Sequence, residues 1–102
     1  MISEPKLEIN EQERGAFLIM DGDEQLGEMA LAIFDQQMIV YHTEVSPKAE
    51  GQGLAKLMLD AMVTYARANH LKVKPLCPYV HAQFKRHPAD FTDIWIKETG
   101  EE

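Results

Sequence analysis

Cysteine is almost missing from this 102-residue chain: Cys77 stands alone, so no disulfide can form within it, and one unpaired thiol suits a reducing compartment. Long apolar runs are missing too. The longest is six residues, Met29 to Phe34, against the roughly 20 that a spanning helix needs, and Met1-Ile2-Ser3-Glu4-Pro5 lacks the basic start and apolar block of a secretion signal. Positive charge is scarce, ten Lys and Arg against 17 Asp and Glu, a net of −7. Long-range repulsion of that sign opposes nucleic acid and anionic membranes as partners. These absences leave a soluble, cytoplasmic protein as the expectation.

What is present reads as one globular domain over residues 1–102, with 97–102 as a solvated tail: 45% of residues are hydrophobic and 26% charged. The charge is unevenly spread. Residues 46–88 hold seven basic side chains and two acidic ones, a net of +5, so the remaining three basic and fifteen acidic residues carry −12. The first segment suits a small polyanion and the rest a cationic partner.

Hydrophobic periodicity predicts strands at Leu7 to Ile9, Gly15 to Met20, Leu26 to Phe34 and Met38 to Val45, separated by the turns Asp21-Gly22-Asp23-Glu24-Gln25 and Asp35-Gln36-Gln37. Consecutive antiparallel pairing is the economical arrangement. From Leu54 the period becomes helical, with Leu54, Leu57, Met58, Ala61, Met62 and Tyr65 on one face, and the helix runs to about Asn69. Leu71 to Leu76 then reads as a strand, with Pro75 confining it to an edge or an irregular end. Pro78 opens a short helix to about Arg86. Phe91 to Ile96 fits a last strand or a helical turn. Met20, Met29, Met38, Met58 and Met62 read as core filling.

The segment Glu50-Gly51-Gln52-Gly53-Leu54-Ala55 joins a strand to the long helix. Glycines there let backbone amides approach a ligand closely, and the helix N-terminus adds unpaired N–H groups and a favourable dipole, the physical recipe for an anion site. It is neither a Walker sequence nor a dinucleotide fingerprint. Two glycines in a tight strand-to-helix turn would give the same pattern without any ligand.

His42-Thr43-Glu44-Val45, Gly51-Gln52-Gly53-Leu54-Ala55, the stretch Leu71 to Val80 and Arg86-His87-Pro88 together resemble the short N-acetyltransferase-like branch of the GNAT superfamily. The resemblance implies an α+β fold: a mixed, mostly antiparallel sheet with one long crossover helix and a second short helix. It implies that the fourth and fifth strands splay apart around the pantetheine arm of acetyl-CoA. Gly51, Gln52, Gly53, Leu54 and Ala55 would then hold the pyrophosphate, and Val45 the pantetheine arm through its backbone. One departure is Glu50, where the superfamily has Arg or Gln. Its carboxylate is expected to point away, with Lys48 or Lys56 supplying positive charge.

Acetyl transfer to an amine needs a base for the ammonium and an acid for the leaving thiolate. In a regularly alternating strand Met38, Val40, His42 and Glu44 share one face, which makes Glu44, beside the turn, the first candidate base and His42 the second. Cys77 would head the short helix, where the dipole favours thiolate, with His81 one turn on, so an acyl-cysteine route is a second possibility. Tyr79 could protonate the thiolate, as tyrosines do in relatives. Lys85 and Arg86 could reach the adenosine 3′-phosphate. No metal site is expected, because Cys77 and His81 offer two ligands at most. The sequence reading is thus an acetyl-CoA-dependent N-acetyltransferase with an unknown cationic amine acceptor, the alternative being a CoA-binding module without catalysis.

Overall fold

A computed structural model describes residues 2–96. Five strands form one sheet in chain order: β1 (Lys6–Ile9), β2 (Arg14–Asp21), β3 (Glu24–Phe34), β4 (Gln37–Val45) and β5 (Lys72–Pro75). The first four are antiparallel neighbours, and β5 joins β4 in parallel after the crossover helix α1 (Leu54–Ala68). Two shorter helices follow, α2 (Pro78–Arg86) and α3 (Pro88–Phe91), and Trp95 adds a single parallel bridge to Val73. This is the expected α+β arrangement. The end of the chain supplies both a helical turn and a strand-like bridge, while the expected tail at 97–102 lies outside the described residues.

The β3–β4 hairpin turns on Asp35 and Gln36, both at positive φ (52° and 63°), the mirror-image turn whose twist matches that of the flanking strands. Register and burial then sort the sheet into two faces. On one face Phe17, Ile19, Met29, Leu31, Met38, Val40 and Val73 are buried against α1, α2 and the residues around Trp95. Gly27, opposite Ile19, lies on this face too, and an added carbon there would come within 3.0 Å of the flexible end of Met58. The opposite face has no helix over it among the described residues. The molecule's shortest extent, 19 Å, corresponds to one sheet and one helix layer.

Two sequence expectations need correction. The buried stripe of α1 is Leu54, Met58, Leu59, Met62, Val63 and Ala66, whereas Leu57 is 45% exposed. The helix has rotated its stripe toward Leu59, Val63 and Ala66, which pack more closely on the sheet. The second correction concerns β4, which does not alternate throughout. Ala30 pairs with His42 but Leu31 pairs with Val40, so Tyr41 is an extra residue, a β-bulge. Met38 and Val40 face the helices, while His42 and Glu44 do not share their face. After the bulge it is Thr43 and Val45 that turn toward the helix layer.

Candidate active site

The site is built where β4 and β5 part. Their pairing ends at Val40 and Pro75, and one more hydrogen bond, from the Cys77 N–H to the Val40 carbonyl (2.9 Å), closes the parallel ladder. Proline at the end of β5 starts the separation because it has no N–H to donate. Beyond it β4 runs on to Val45 without β5 beside it, and the chain turns into α2. A wedge therefore opens between the last residues of β4 and the start of α2.

At the end of β4 the Ser46 hydroxyl accepts a hydrogen bond from the Lys48 N–H and sets a single helical turn, Pro47–Ala49. Glu50 is extended and exposed. Gly51 and Gly53 then take φ of 85° and 74°, conformations that an L side chain adopts only with strain. Gly53 is the N-cap of α1 and brings no capping side chain. The N–H of Leu57 is the first to find an intrahelical carbonyl, that of Gly53 (3.1 Å), which leaves the amides of Leu54, Ala55 and Lys56 pointing out of the helix end. They open on a depression of about 300 Å³ lined by Val45, Ala49, Glu50, Gly51, Gly53, Leu54 and Ala55. Nothing stands within 4 Å of a carbon added to Gly51 or Gly53, so a bulky anion has room. The outward-pointing amides, with room above them, can donate hydrogen bonds to an anion, while Glu50 at the rim opposes one.

The two lysines considered as charge partners are engaged with carboxylates: Lys48 Nζ with Glu24 Oε2 (2.8 Å) and Lys56 Nζ with Asp60 Oδ1 (2.8 Å). Each pair holds its ammonium above the ordinary lysine pKa of 10.5, chiefly through the hydrogen bond to its carboxylate. Both pairs are solvent-exposed, and such pairs exchange readily for another anion.

The candidate side chains divide between the two sides of the sheet. On the helix side Thr43 Oγ1 lies 3.3 Å from Cys77 Sγ. The thiol is only 1% exposed, and Cys77 caps α2 without any side-chain hydrogen bond to the helix. His81 follows with its N–H on the Cys77 carbonyl and its ring edge-on to Trp95. Tyr79 is half-buried. Desolvation raises its phenol above the usual 10.0, opposed by the nearby charge of Lys56, so the hydroxyl is a proton donor at neutral pH. On the open side His42 Nε2 lies 3.5 Å from Glu28 Oε1 and 4.0 Å from Glu44 Oε1. This cluster borders a second depression of about 190 Å³, lined by Gln25 to Glu28 and by Glu44 to Pro47. Val45 belongs to both depressions and separates them.

Thr43 and Glu28 were not among the residues singled out from the sequence. Thr43 reaches Cys77 only because of the bulge, which pattern alone does not reveal. Glu28 lies opposite Glu44 in the register of the β3–β4 hairpin, and its interruption of an otherwise apolar strand was the available signal.

The comparisons with known proteins bear on family and fold. The family model for GCN5-related N-acetyltransferases matches residues 16–94. The chain belongs to that family. Among solved structures it is similar to a GCN5-like protein of Staphylococcus aureus, described as a candidate N-acetyltransferase, at 25% identity and a TM-score of 0.68 over 98% of this chain and 96% of that one. It shares the fold of the ribosomal-protein-S18-alanine N-acetyltransferase of Escherichia coli (11% identity, TM-score 0.57). There 63% of this chain is matched and only 42% of the other, so this chain spans less than half of that enzyme. An aminoglycoside acetyltransferase from a soil metagenome aligns over 91% of this chain and 62% of its own length (14% identity, TM-score 0.59). A search of curated proteins gave no significant match. No helix among the described residues is long and apolar enough to cross a membrane.

Proposed function

We propose that this GCN5-related acetyltransferase binds acetyl-CoA at the Gly51-Gln52-Gly53 turn and transfers the acetyl group to a cationic amine. The observation that carries this reading is the juxtaposition of an uncapped helix N-terminus, held open by two positive-φ glycines, with a wedge between β4 and β5. Backbone amides of Leu54, Ala55 and Lys56 would hold the diphosphate, and the unpaired edge of β4 at Val45 would line the extended pantetheine arm. Gln52 is exposed at the tip of the turn, beside the diphosphate path. Bound acetyl-CoA supplies an acetyl thioester.

The chain's own groups divide the proton work across β4. Glu44, with 76% of its side chain exposed, attracts an ammonium ion and accepts its proton at a carboxylate oxygen, with His42 beside it as relay. Transfer to the freed amine would form a C–N bond as the C–S bond of the thioester breaks. The Tyr79 hydroxyl, which burial keeps protonated at neutral pH, would be the donor to the departing sulfur. Burial of Cys77 against Thr43 supports direct transfer over an acyl-cysteine route. Residues 1–45, with ten acidic and two basic side chains, carry a net of −8 and suit a cationic acceptor.

The test mixes purified protein with acetyl-CoA and a panel of amines and follows thiol release, beside calorimetric titration with CoA. Turnover with at least one amine supports the reading. CoA binding without any turnover would favour the second one, a CoA-binding module without catalysis. Glu50 in the turn and the carboxylates already holding Lys48 and Lys56 favour that alternative.

A further inference from the structure

The wedge between β4 and β5 has an open end and a closed one. At the open end lie the outward amides of Leu54, Ala55 and Lys56 and the depression that has Val45 in its wall. At the closed end the Cys77 N–H holds the Val40 carbonyl (2.9 Å), the last rung of the parallel ladder. Between these ends a side-chain contact crosses the gap, from Thr43 Oγ1 on β4 to Cys77 Sγ at the head of α2, 3.3 Å. The crossing lies roughly 7 Å along the strand from Val45.

Neither partner in that contact is easily pushed aside. Cys77 is buried, and Met29, which pairs with Thr43 across β3 and β4, is fully buried, as are Val40 and Val80. Cys77, Met29, Val40 and Val80 all belong to the core. An interior packed to crystal density takes in an extra carbon only if its neighbours rearrange. The crossing is therefore a firm wall.

We propose that the Thr43–Cys77 contact is the stop that sets acyl length, admitting an acetyl thioester and excluding propionyl and longer ones. The inference rests on the cofactor reading above and assigns a specificity-determining pair within it. In any acyl-CoA the diphosphate and the acyl thioester stand at opposite ends of the pantetheine arm. A molecule held by its diphosphate at the open end of the wedge therefore presents its acyl end to the closed one. Along that line the gap is crossed by Thr43 and Cys77 before the ladder closes at Val40. The thiol acts here through its bulk, and no bond to it is made or broken. Cys77→Ala removes one heavy atom, close in size to the methylene that separates propionyl from acetyl.

Calorimetric titration of the full chain with CoA, acetyl-CoA, propionyl-CoA and butyryl-CoA tests this without any acceptor or turnover. Wild-type protein should bind propionyl-CoA at least about tenfold more weakly than acetyl-CoA, and butyryl-CoA more weakly still. Cys77→Ala should bring propionyl-CoA level with acetyl-CoA and leave butyryl-CoA disfavoured. Circular dichroism and a melting curve check its fold. Thr43→Ala opens the opposite, half-buried wall, should relax the limit in the same direction, and carries the test if Cys77→Ala unfolds. Thr43→Val keeps the shape and loses the hydroxyl, so it should retain the wild-type preference. Wild-type affinity indifferent to acyl length, or a limit that survives in folded Cys77→Ala or in Thr43→Ala, overturns the inference and leaves the CoA site standing. Loss of the preference in Thr43→Val would make a hydrogen bond the determinant and overturns the steric stop. Absence of binding by CoA and by every acyl-CoA overturns the cofactor reading itself, and the stop falls with it.

Discussion

The two faces of the sheet differ in kind. One is a packed core: Met29, Met38, Val40, Met58, Met62, Val73 and Phe84 are fully buried, and a side-chain carbon on Gly27 would fit only if the end of Met58 shifted slightly. The other carries the ionisable cluster Glu28, His42 and Glu44 beside alanines and the exposed Phe34. The difference follows from a single bulge at Tyr41. Without it His42 and Glu44 would turn inward with Met38 and Val40, and two polar side chains would have to be buried. Substitutions on the first face should therefore change stability and leave chemistry alone, and those on the second should do the reverse.

The largest effect is expected from the core. Met58→Ala removes a fully buried side chain beneath Gly27 and should cost about 2–5 kcal/mol, lowering the melting temperature by at least about 8 °C. Thermal unfolding followed by circular dichroism measures it. A smaller loss, with unchanged packing, would mean that the helix layer is more plastic than its burial implies. On the other face Glu44→Gln keeps shape and removes charge. Thiol release at saturating acceptor should fall by about 100-fold or more, while the melting temperature stays within the range of ~0.5 kcal/mol typical of surface changes. Retained turnover would remove Glu44 from the base role and leave His42 to be tested next.

The cradle lies between these extremes. Gly53→Glu forces a side chain into φ of 74° and sets a carboxylate among the amides that would hold the diphosphate. The strain should cost about 1 kcal/mol of stability, and CoA affinity should drop at least about tenfold, equivalent to ~1.4 kcal/mol. Calorimetric titration reads the affinity directly. Unchanged binding would move the cofactor away from this turn and undercut the functional proposal at its base.

The sequence made most of this legible where the signal is periodic or steric. The strand-to-helix turn announced itself through Gly51 and Gly53, and α2 through Pro78, because few residues satisfy those backbone demands. Four antiparallel strands followed from alternation and turn residues. What stayed hidden were features that depend on register. A bulge adds one residue without changing composition, so β4 looked like a uniform strand, and Thr43 looked like an ordinary strand residue although it meets Cys77 at 3.3 Å. The same slip decides which side of the wedge each candidate group occupies. The open face was hidden for a related reason: Leu26 to Phe34 is apolar on both sides, as in a strand buried on both faces, yet only one side is covered by helices among the described residues.

The smallest effect sharpens the comparison from the helix side. Arg67 of α1 holds Asp93 through two hydrogen bonds, Nε to Oδ2 (2.9 Å) and Nη2 to Oδ1 (3.2 Å), and Nη2 also donates to the Asp90 carbonyl. These contacts pin the segment after α3 to the long helix. The guanidinium holds the Asp93 carboxyl below its usual 3.8, first through the hydrogen bond and then through charge. Because the folded-state pKa is depressed, the contribution to stability is fully present above the unfolded value and fades as pH falls below 3.8 through the lower folded value. The pair is largely exposed, so water and salt screen it and its worth is below about 1 kcal/mol. Asp93→Asn should therefore lower the melting temperature by only a few degrees at pH 7. The gap between variant and wild type should narrow in high salt and close as the pH is taken well below 3.8. If the gap instead persisted in acid, the loss would come from the backbone of the 90–93 turn rather than from charge, and the helix face would owe its cohesion there to shape alone.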